Sequence, residues 1–234
     1  MSNKSKICVF SYGEIGRKLL YYMCRHNKKI ELVFLRKNDA DLKEKIKICK
    51  KNNTRFEVIQ AINDPKCVSF FESQDIELVF LLWWPDIIPK NIISQASSGI
   101  INLHPSFLPY NRGMHPYYWS IVDKTPAGVT IHFIDEKIDA GHIIAQEKII
   151  GLFRKNYDNI LEGNFLTKAV DIKQGTFHLK KDLDAHSEII LERKYKAEEL
   201  LDIIRGRTFT SMPSSYFYKD GKKYHVRVEI EEAE

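Results

Sequence analysis

Residues 77–82 read ELVFLL, one charged side chain followed by five apolar ones without a break. A strand with one wet face alternates, so an unbroken apolar run of this length belongs to a strand covered on both faces, as in the centre of a parallel sheet flanked by helices. Lys6–Phe10 (KICVF) is a second such run, and in the SYGEIGRKLLYYMCRHN that follows it Ile15, Leu19, Leu20 and Met23 recur at helical spacing. Glu31–Leu35 is the next strand. Strand, tight turn, helix, strand is the opening of a doubly wound sheet. The expected fold class is therefore α/β: a Rossmann-like, mostly parallel twisted sheet with helices on both faces.

The first turn invites comparison with a dinucleotide site. Ser11 stands where G-x-G-x-x-G has its first glycine, however, and Arg36 and Lys37 follow the second strand where a ribose-binding carboxylate belongs. Gly13 and Gly16 then read as turn and packing glycines, and no nicotinamide is expected. Further along, Asp39–Lys50 predicts a lysine-rich amphipathic helix, Arg55–Ile59 a third strand, and Asp64–Glu72, Asn91–Ala96 and His115–Val122 helices. Directly after Leu82 comes Trp83-Trp84-Pro85-Asp86-Ile87-Ile88-Pro89, a stiff apolar loop at the strand ends where open sheets bind ligands. Its tryptophans either close the core or, with backbone groups around Ile87, form a wall for a flat heterocycle; the sequence leaves both open.

The densest chemistry lies in Ile100–Gly113, IINLHPSFLPYNRG. Side chains two apart on a strand share a face, so Asn102 and His104 at a strand's carboxyl end can aim at one reacting atom. Pro105 and Pro109 forbid the strand to continue, and the loop they stiffen carries Arg112 and Gly113. Such a cluster suits acyl transfer better than packing. Gly128–Asp135 (GVTIHFID) alternates, with Val129, Ile131 and Phe133 on one face and Thr130, His132 and Ile134 on the other, and His142–Ile150 follows as a partner strand. Between them Asp139 sits in a loop just before Gly141, which leaves room for a ligand to approach the backbone.

Composition removes other classes. The 234 residues are 44% hydrophobic and carry a net charge of +5, with lysines interleaved among acids rather than gathered into a nucleic-acid stripe. Cys8, Cys24, Cys49 and Cys67 show no CxxC and no neighbouring histidine pair, which argues against a metal site or a disulfide framework. No apolar run reaches the roughly 20 residues that span a bilayer, and the N-terminus enters a strand with no signal-peptide core. The expectation is a soluble cytoplasmic protein without nucleic-acid or membrane partners.

Three motifs in order, N-x-H-P-S-x-L-P-x-x-R-G, G-V-T-I-H-F and D-x-G-x-I, resemble the formyltransferase domain that uses 10-formyltetrahydrofolate, over roughly residues 6–150. The resemblance implies that Asn102, His104 and Asp139 are the catalytic trio. It places the folate pterin between Trp84–Ile88 and Ile134–Asp139, so that Trp84, Ile87, Ile134, Asp135 and Asp139 are the expected donor contacts. Arg112–Ile121 (RGMHPYYWSI) and Ile204–Tyr216 (IRGRTFTSMPSSY) are similar to the sugar nucleotide N-formyltransferases, although Ser214 and Ser215 replace the Gly and Ala common there. This implies a dTDP-linked dideoxy-amino sugar as acceptor, held by Tyr110, Asn111, Arg112, Gly113 and Arg207. The alternatives are a glycinamide ribonucleotide transformylase-like enzyme, disfavoured by the bulky SYGEIG turn, and a binding module without turnover. A transfer RNA acceptor is not expected, because the part after Ile150 is short and mixed in charge.

The expected domains are 1–150, catalytic, and 151–234, a helical segment and a β-hairpin around Asp220-Gly221. A lone hairpin is marginal and must pack on something. The resemblance implies that this C-terminal region forms a homodimer.

Overall fold

The computed structural model describes residues 6–26, 29–147, 152–208 and 213–231. In chain order the elements are β1 (Ile7–Ser11), α1 (Gly13–His26), β2 (Ile30–Arg36), α2 (Leu42–Lys51), β3 (Phe56–Ile59), α3 (Pro65–Ser73), β4 (Leu78–Leu82), α4 (Lys90–Ile93) and β5 (Ile100–His104). They continue with β6 (Arg112–Gly113), α5 (Pro116–Val122), β7 (Val129–Phe133), β8 (Ile143–Glu147), α6 (Leu152–Leu161), β9 (Phe177–His178), α7 (Lys180–His186), α8 (Ala197–Gly206), β10 (Ser215–Lys219) and β11 (Lys222–Val226). The chain forms two compact units, Met1–His104 with Val129–Val170, and Pro105–Gly128 with Asp171–Glu234.

The first unit is a seven-stranded sheet ordered β3-β2-β1-β4-β5-β7-β8. Its first five strands are parallel, and β7 and β8 run antiparallel at one edge. Strands β1 and β4 are buried at every position, as an apolar run covered on both faces requires. On one side Val9 and Phe80 meet Leu20 and Met23 of α1 and Phe153 and Tyr157 of α6. On the other Phe10 and Leu81 meet Phe71 of α3, Ile92 of α4 and Trp84. Val129 and Ile131 of β7 join the first of these cores, with Phe133 packed against it, while Ile134 packs against the second, as the alternation predicts. The strand order reverses between β1 and β4, beside β5. All four cysteines are free and buried.

One expectation is corrected. Asp39–Lys50 reads as a lysine-rich amphipathic helix, but α2 starts at Leu42 and Lys45 is fully buried against Asp39. Asp39 turns inward because its carboxylate also accepts the Gly13 N–H at the start of α1, at 3.1 Å, so it is not free to begin a helix of its own. Residues 152–170 belong with the sheet, because Leu152, Phe153, Tyr157 and Ile160 fill its core. Residues 105–128 leave the sheet for the second unit and return at β7. The last three residues of the expected strand His142–Ile150 lie outside the described residues.

In the second unit β6 pairs in parallel with β9, and α5 packs on α8. A Cβ on Gly206 would come within 2.7 Å of the Tyr118 ring, so the helices approach this closely only because the residue is glycine. Tyr118, Trp119 and Leu183 form the core, with Tyr118 Oη 2.6 Å from His186 Nδ1. Strands β10 and β11 pair antiparallel across Asp220 and Gly221, both at positive φ (51° and 69°), the conformation a two-residue hairpin turn demands.

Candidate active site

Asn102 and His104 end β5 on a common face, with His104 buried and Asn102 half-buried. Antiparallel register sets Asn102 opposite His132 of β7. His132 is fully enclosed, and burial pulls its pKa down to about 4, against the raising influence of Asp139. At neutral pH the ring is therefore uncharged. Its Nδ1 lies 2.8 Å from the Phe133 carbonyl, which can only accept, so the single ring proton resides on Nδ1. Nε2 is then an acceptor, 3.3 Å from Asn102 Nδ2. This settles the amide's orientation: the NH2 end of Asn102 faces His132, and its second N–H can serve another acceptor.

Asp139 enters from the loop between β7 and β8. It holds a left-handed backbone (φ 48°), is 8% exposed, and puts its carboxylate between two imidazoles. Oδ2 is 3.5 Å from His104 Nδ1, and Oδ1 is 3.5 Å from His132 Nε2. The first separation exceeds an ordinary hydrogen bond, as is common before substrate closes a site, and His132 Nε2, which carries no proton, donates none to Oδ1. Gly141 does not serve a ligand's approach: a Cβ there would lie 1.9 Å from the Phe133 carbonyl, so the glycine lets this loop fold back on the end of β7. The structure thus brings Asn102, His104 and Asp139 together and adds His132. The sequence showed His132 on one face of an alternating strand; its placement opposite Asn102 depends on register, which one strand's pattern does not contain.

Among the expected donor contacts, Trp84 is buried edge-on to Phe10 (5.1 Å) and does close the core. Its indole Nε1 is nonetheless enclosed with no hydrogen-bond partner among the described residues. Ile87 is 71% exposed. Asp86 fixes the loop between them by accepting from Arg36 (2.6 Å) and from the Ile62 N–H (3.3 Å). Ile134 packs on the core that contains Trp84, and Asp135 is an exposed turn residue accepting the Lys137 N–H. Lys90 and Glu136 pair at 2.8 Å beside a cavity of about 440 Å³ that these two residues line with Asn91, Ile93 and Ser94.

The expected acceptor contacts all lie in the second unit. Asn111 is fully buried at φ 54°, its amide donating to Thr125 Oγ1 (2.7 Å) and accepting from Thr176 Oγ1 (3.0 Å), so its side chain shapes the loop. Gly113 is also architectural, because a Cβ would sit 2.3 Å from the His178 carbonyl. Tyr110 is half-buried. Arg112 lies over Phe177 (5.5 Å), with its Nε enclosed and unmatched among the described residues. Arg207 is buried at the end of α8, and residues 209–212 of the Ile204–Tyr216 segment lie outside the described residues. Among the described residues there is no cluster of three metal-ligating side chains, and no helix is long and apolar enough to cross a membrane.

A family model described as formyl transferase matches residues 23–158, and one described as N-formyltransferase dimerization C-terminal domain matches residues 182–232. A dTDP-4-amino-4,6-dideoxyglucose formyltransferase of Mycobacterium bovis is 31% identical over 151 residues, 56% of this chain and 64% of that protein. The chain thus spans under two thirds of that relative's length. A 4-N formyltransferase from Francisella tularensis superposes with a TM-score of 0.78 at 26% identity, covering 99% of this chain and 100% of the other. A sugar 3N-formyl transferase solved in the presence of dTDP and 5-N-formyl-THF shares the fold with a TM-score of 0.68 at 22% identity, over 90% of this chain and 81% of that one. With more than half of its length matched by the first family model, the chain belongs to the formyl transferase family.

Proposed function

We propose that this chain transfers a formyl group from 10-formyltetrahydrofolate to the primary amine of a nucleotide-linked deoxyamino sugar. The observation that carries the reading is the meeting of an amide, an imidazole and a carboxylate at the carboxyl end of β5, beside the reversal of strand order. The folate supplies an activated formyl carbon. A neutral amine attacking that carbon leaves negative charge on the carbonyl oxygen and positive charge on its own nitrogen. The free N–H of Asn102 donates to the oxygen, a kind of contact whose loss elsewhere costs about 2.7–4 kcal/mol, or roughly 100- to 1,000-fold in rate. His104 accepts the amine proton, and Asp139 orients the imidazole and stabilises its cation. The carbon–nitrogen bond to the folate then breaks as the proton is delivered to the leaving nitrogen. His132 keeps the amide of Asn102 aimed throughout.

The enclosed, unmatched Trp84 indole supports a folate ring beside it, with Trp84, Ile87, Ile134 and Asp135 as its surroundings. The acceptor follows from the Arg112–Ile121 and Ile204–Tyr216 segments and from the Mycobacterium relative, whose name specifies a dTDP-linked 4-amino sugar. Tyr110 and Arg112 are the loop side chains left to contact it. The exposed Tyr218 and Tyr224 of the hairpin are the proposed contact with a second copy of the chain, and the cytoplasm is the proposed compartment.

The test supplies 10-formyltetrahydrofolate with dTDP-4-amino-4,6-dideoxyglucose, its 3-amino isomer, UDP-linked analogues or glycinamide ribonucleotide, and follows tetrahydrofolate release and formamide formation by mass spectrometry. Turnover with an amino sugar nucleotide is expected. Formylation of glycinamide ribonucleotide alone, or binding of both ligands without turnover, would select one of the other readings.

A further inference from the structure

The loop that carries Tyr110 and Arg112 is tied to one short segment, Thr176–His178, which lies 65 residues further along the chain. The Asn111 N–H donates to Thr176 Oγ1 at 2.8 Å, and that hydroxyl gives its own proton to Asn111 Oδ1 at 3.0 Å. The Arg112 N–H donates to the Thr176 carbonyl and the Met114 N–H to the His178 carbonyl, both at 3.0 Å. Phe177 places its ring under the Arg112 guanidinium, 5.5 Å from the centroid. The ladder between β6 and β9 is nonetheless only two residues long on each strand and belongs to no larger sheet, so it cannot fix its own position. Side chains do so instead. The His178 ring lies flat on Trp119 of α5, with centroids 3.8 Å apart and planes 6° apart. Its Nε2 donates to Asp123 Oδ2 at the end of the same helix, 2.9 Å away.

We propose that Thr176 and His178 are positioning residues for the formyl transfer. His178 pins β9 to α5 through its ring and its N–H, and Thr176 passes that placement to Asn111, which stands between the two side chains assigned to the acceptor. This rests on the reading of the acceptor given above and adds what holds its contacts in place. A loop displaced from this seat binds the acceptor more weakly in the ground state and the transition state alike, which raises KM for that substrate and leaves the chemical step alone.

The experiment is steady-state formyl transfer by the full chain, with both substrates varied, using the amino sugar nucleotide that the parent chain formylates fastest. The parent is compared with T176V, T176S, H178A and H178F at equal folded concentration. T176V, which loses the hydroxyl at nearly the same shape, and H178A should each raise KM for the amino sugar nucleotide about tenfold, with kcat and the KM for the folate within about twofold of the parent. T176S should restore the parental KM, and H178F, which keeps a flat ring on Trp119 but loses the contact with Asp123, should fall between H178A and the parent. An unchanged KM for the amino sugar nucleotide in T176V and H178A would overturn the assignment, and so would a parallel change in both KM values and kcat, the mark of a merely structural role. If T176V and H178A do not fold, H178F alone must show the selective rise, and a parental KM in it would overturn the assignment equally. Absence of transfer by the parent chain to every amino sugar nucleotide would instead remove the acceptor reading, and these positioning roles with it.

Discussion

At the scale of single residues, His132 ties stability to pH in a way that can be measured. Its ordinary pKa is 6.5 and its folded value is about 4, so between these limits the unfolded chain holds a proton that the folded chain refuses. Stability therefore rises with pH across this window and is lost as pH falls through it, by up to about 3 kcal/mol from this group. Denaturant midpoints between pH 7 and pH 4.5 should show the decline, and H132Q should flatten it; an equal slope in both proteins would contradict the assignment. The same residue has a catalytic signature. Gln places an acceptor near the Nε2 position and Asn does not, so H132Q should retain most of kcat while H132N loses on the order of tenfold or more, with KM little changed in either. Asn102 and His104 were legible in the sequence because a period of two needs only one strand. His132 and the buried Lys45 were not: the first depends on strand register, and the second on an Asp39 turned inward by an amide at the start of α1.

At the scale of elements, two glycines hold the loops that carry the proposed reacting and acceptor-binding side chains. A Cβ on Gly141 would overlap the Phe133 carbonyl, so G141A must displace the turn that presents Asp139. A shift of about 1 Å at a reacting group can cost roughly 100-fold, so G141A should reduce kcat by one to two orders of magnitude while far-UV circular dichroism stays unchanged. Retention of full activity would show that Asp139 is positioned from elsewhere. G113A combines a φ of 89° with a Cβ 2.3 Å from the His178 carbonyl and should part β6 from β9, lowering Tm by several degrees. The elements themselves were largely readable, from the apolar β4 to the hairpin at Asp220-Gly221, because each is set by local pattern and turn chemistry. Their grouping was not. The excursion of residues 105–128 into the second unit and the docking of α6 on the sheet depend on contacts distant in sequence, which periodicity does not encode.

For the whole molecule, the match of residues 182–232 to a dimerization domain and the exposed Tyr218 and Tyr224 of the hairpin lead to an expected solution mass near twice 27.4 kDa. Light scattering at micromolar concentration checks this, and G221V, which places a β-branched residue at a φ of 69°, should shift the population toward monomer by disrupting the turn. The family was legible because three motifs fall in order along the chain. The account as a whole stands on three side chains acting on one carbonyl carbon. Single-turnover formyl transfer to a dTDP-linked amino sugar, compared among the parent chain, N102A, H104A and D139N at equal folded concentration, tests this most directly. A loss of at least 100-fold in each variant with unfolding midpoints preserved is predicted, and a near-parental rate in any one of them would contradict the assignment of Asn102, His104 and Asp139 as the reacting centre.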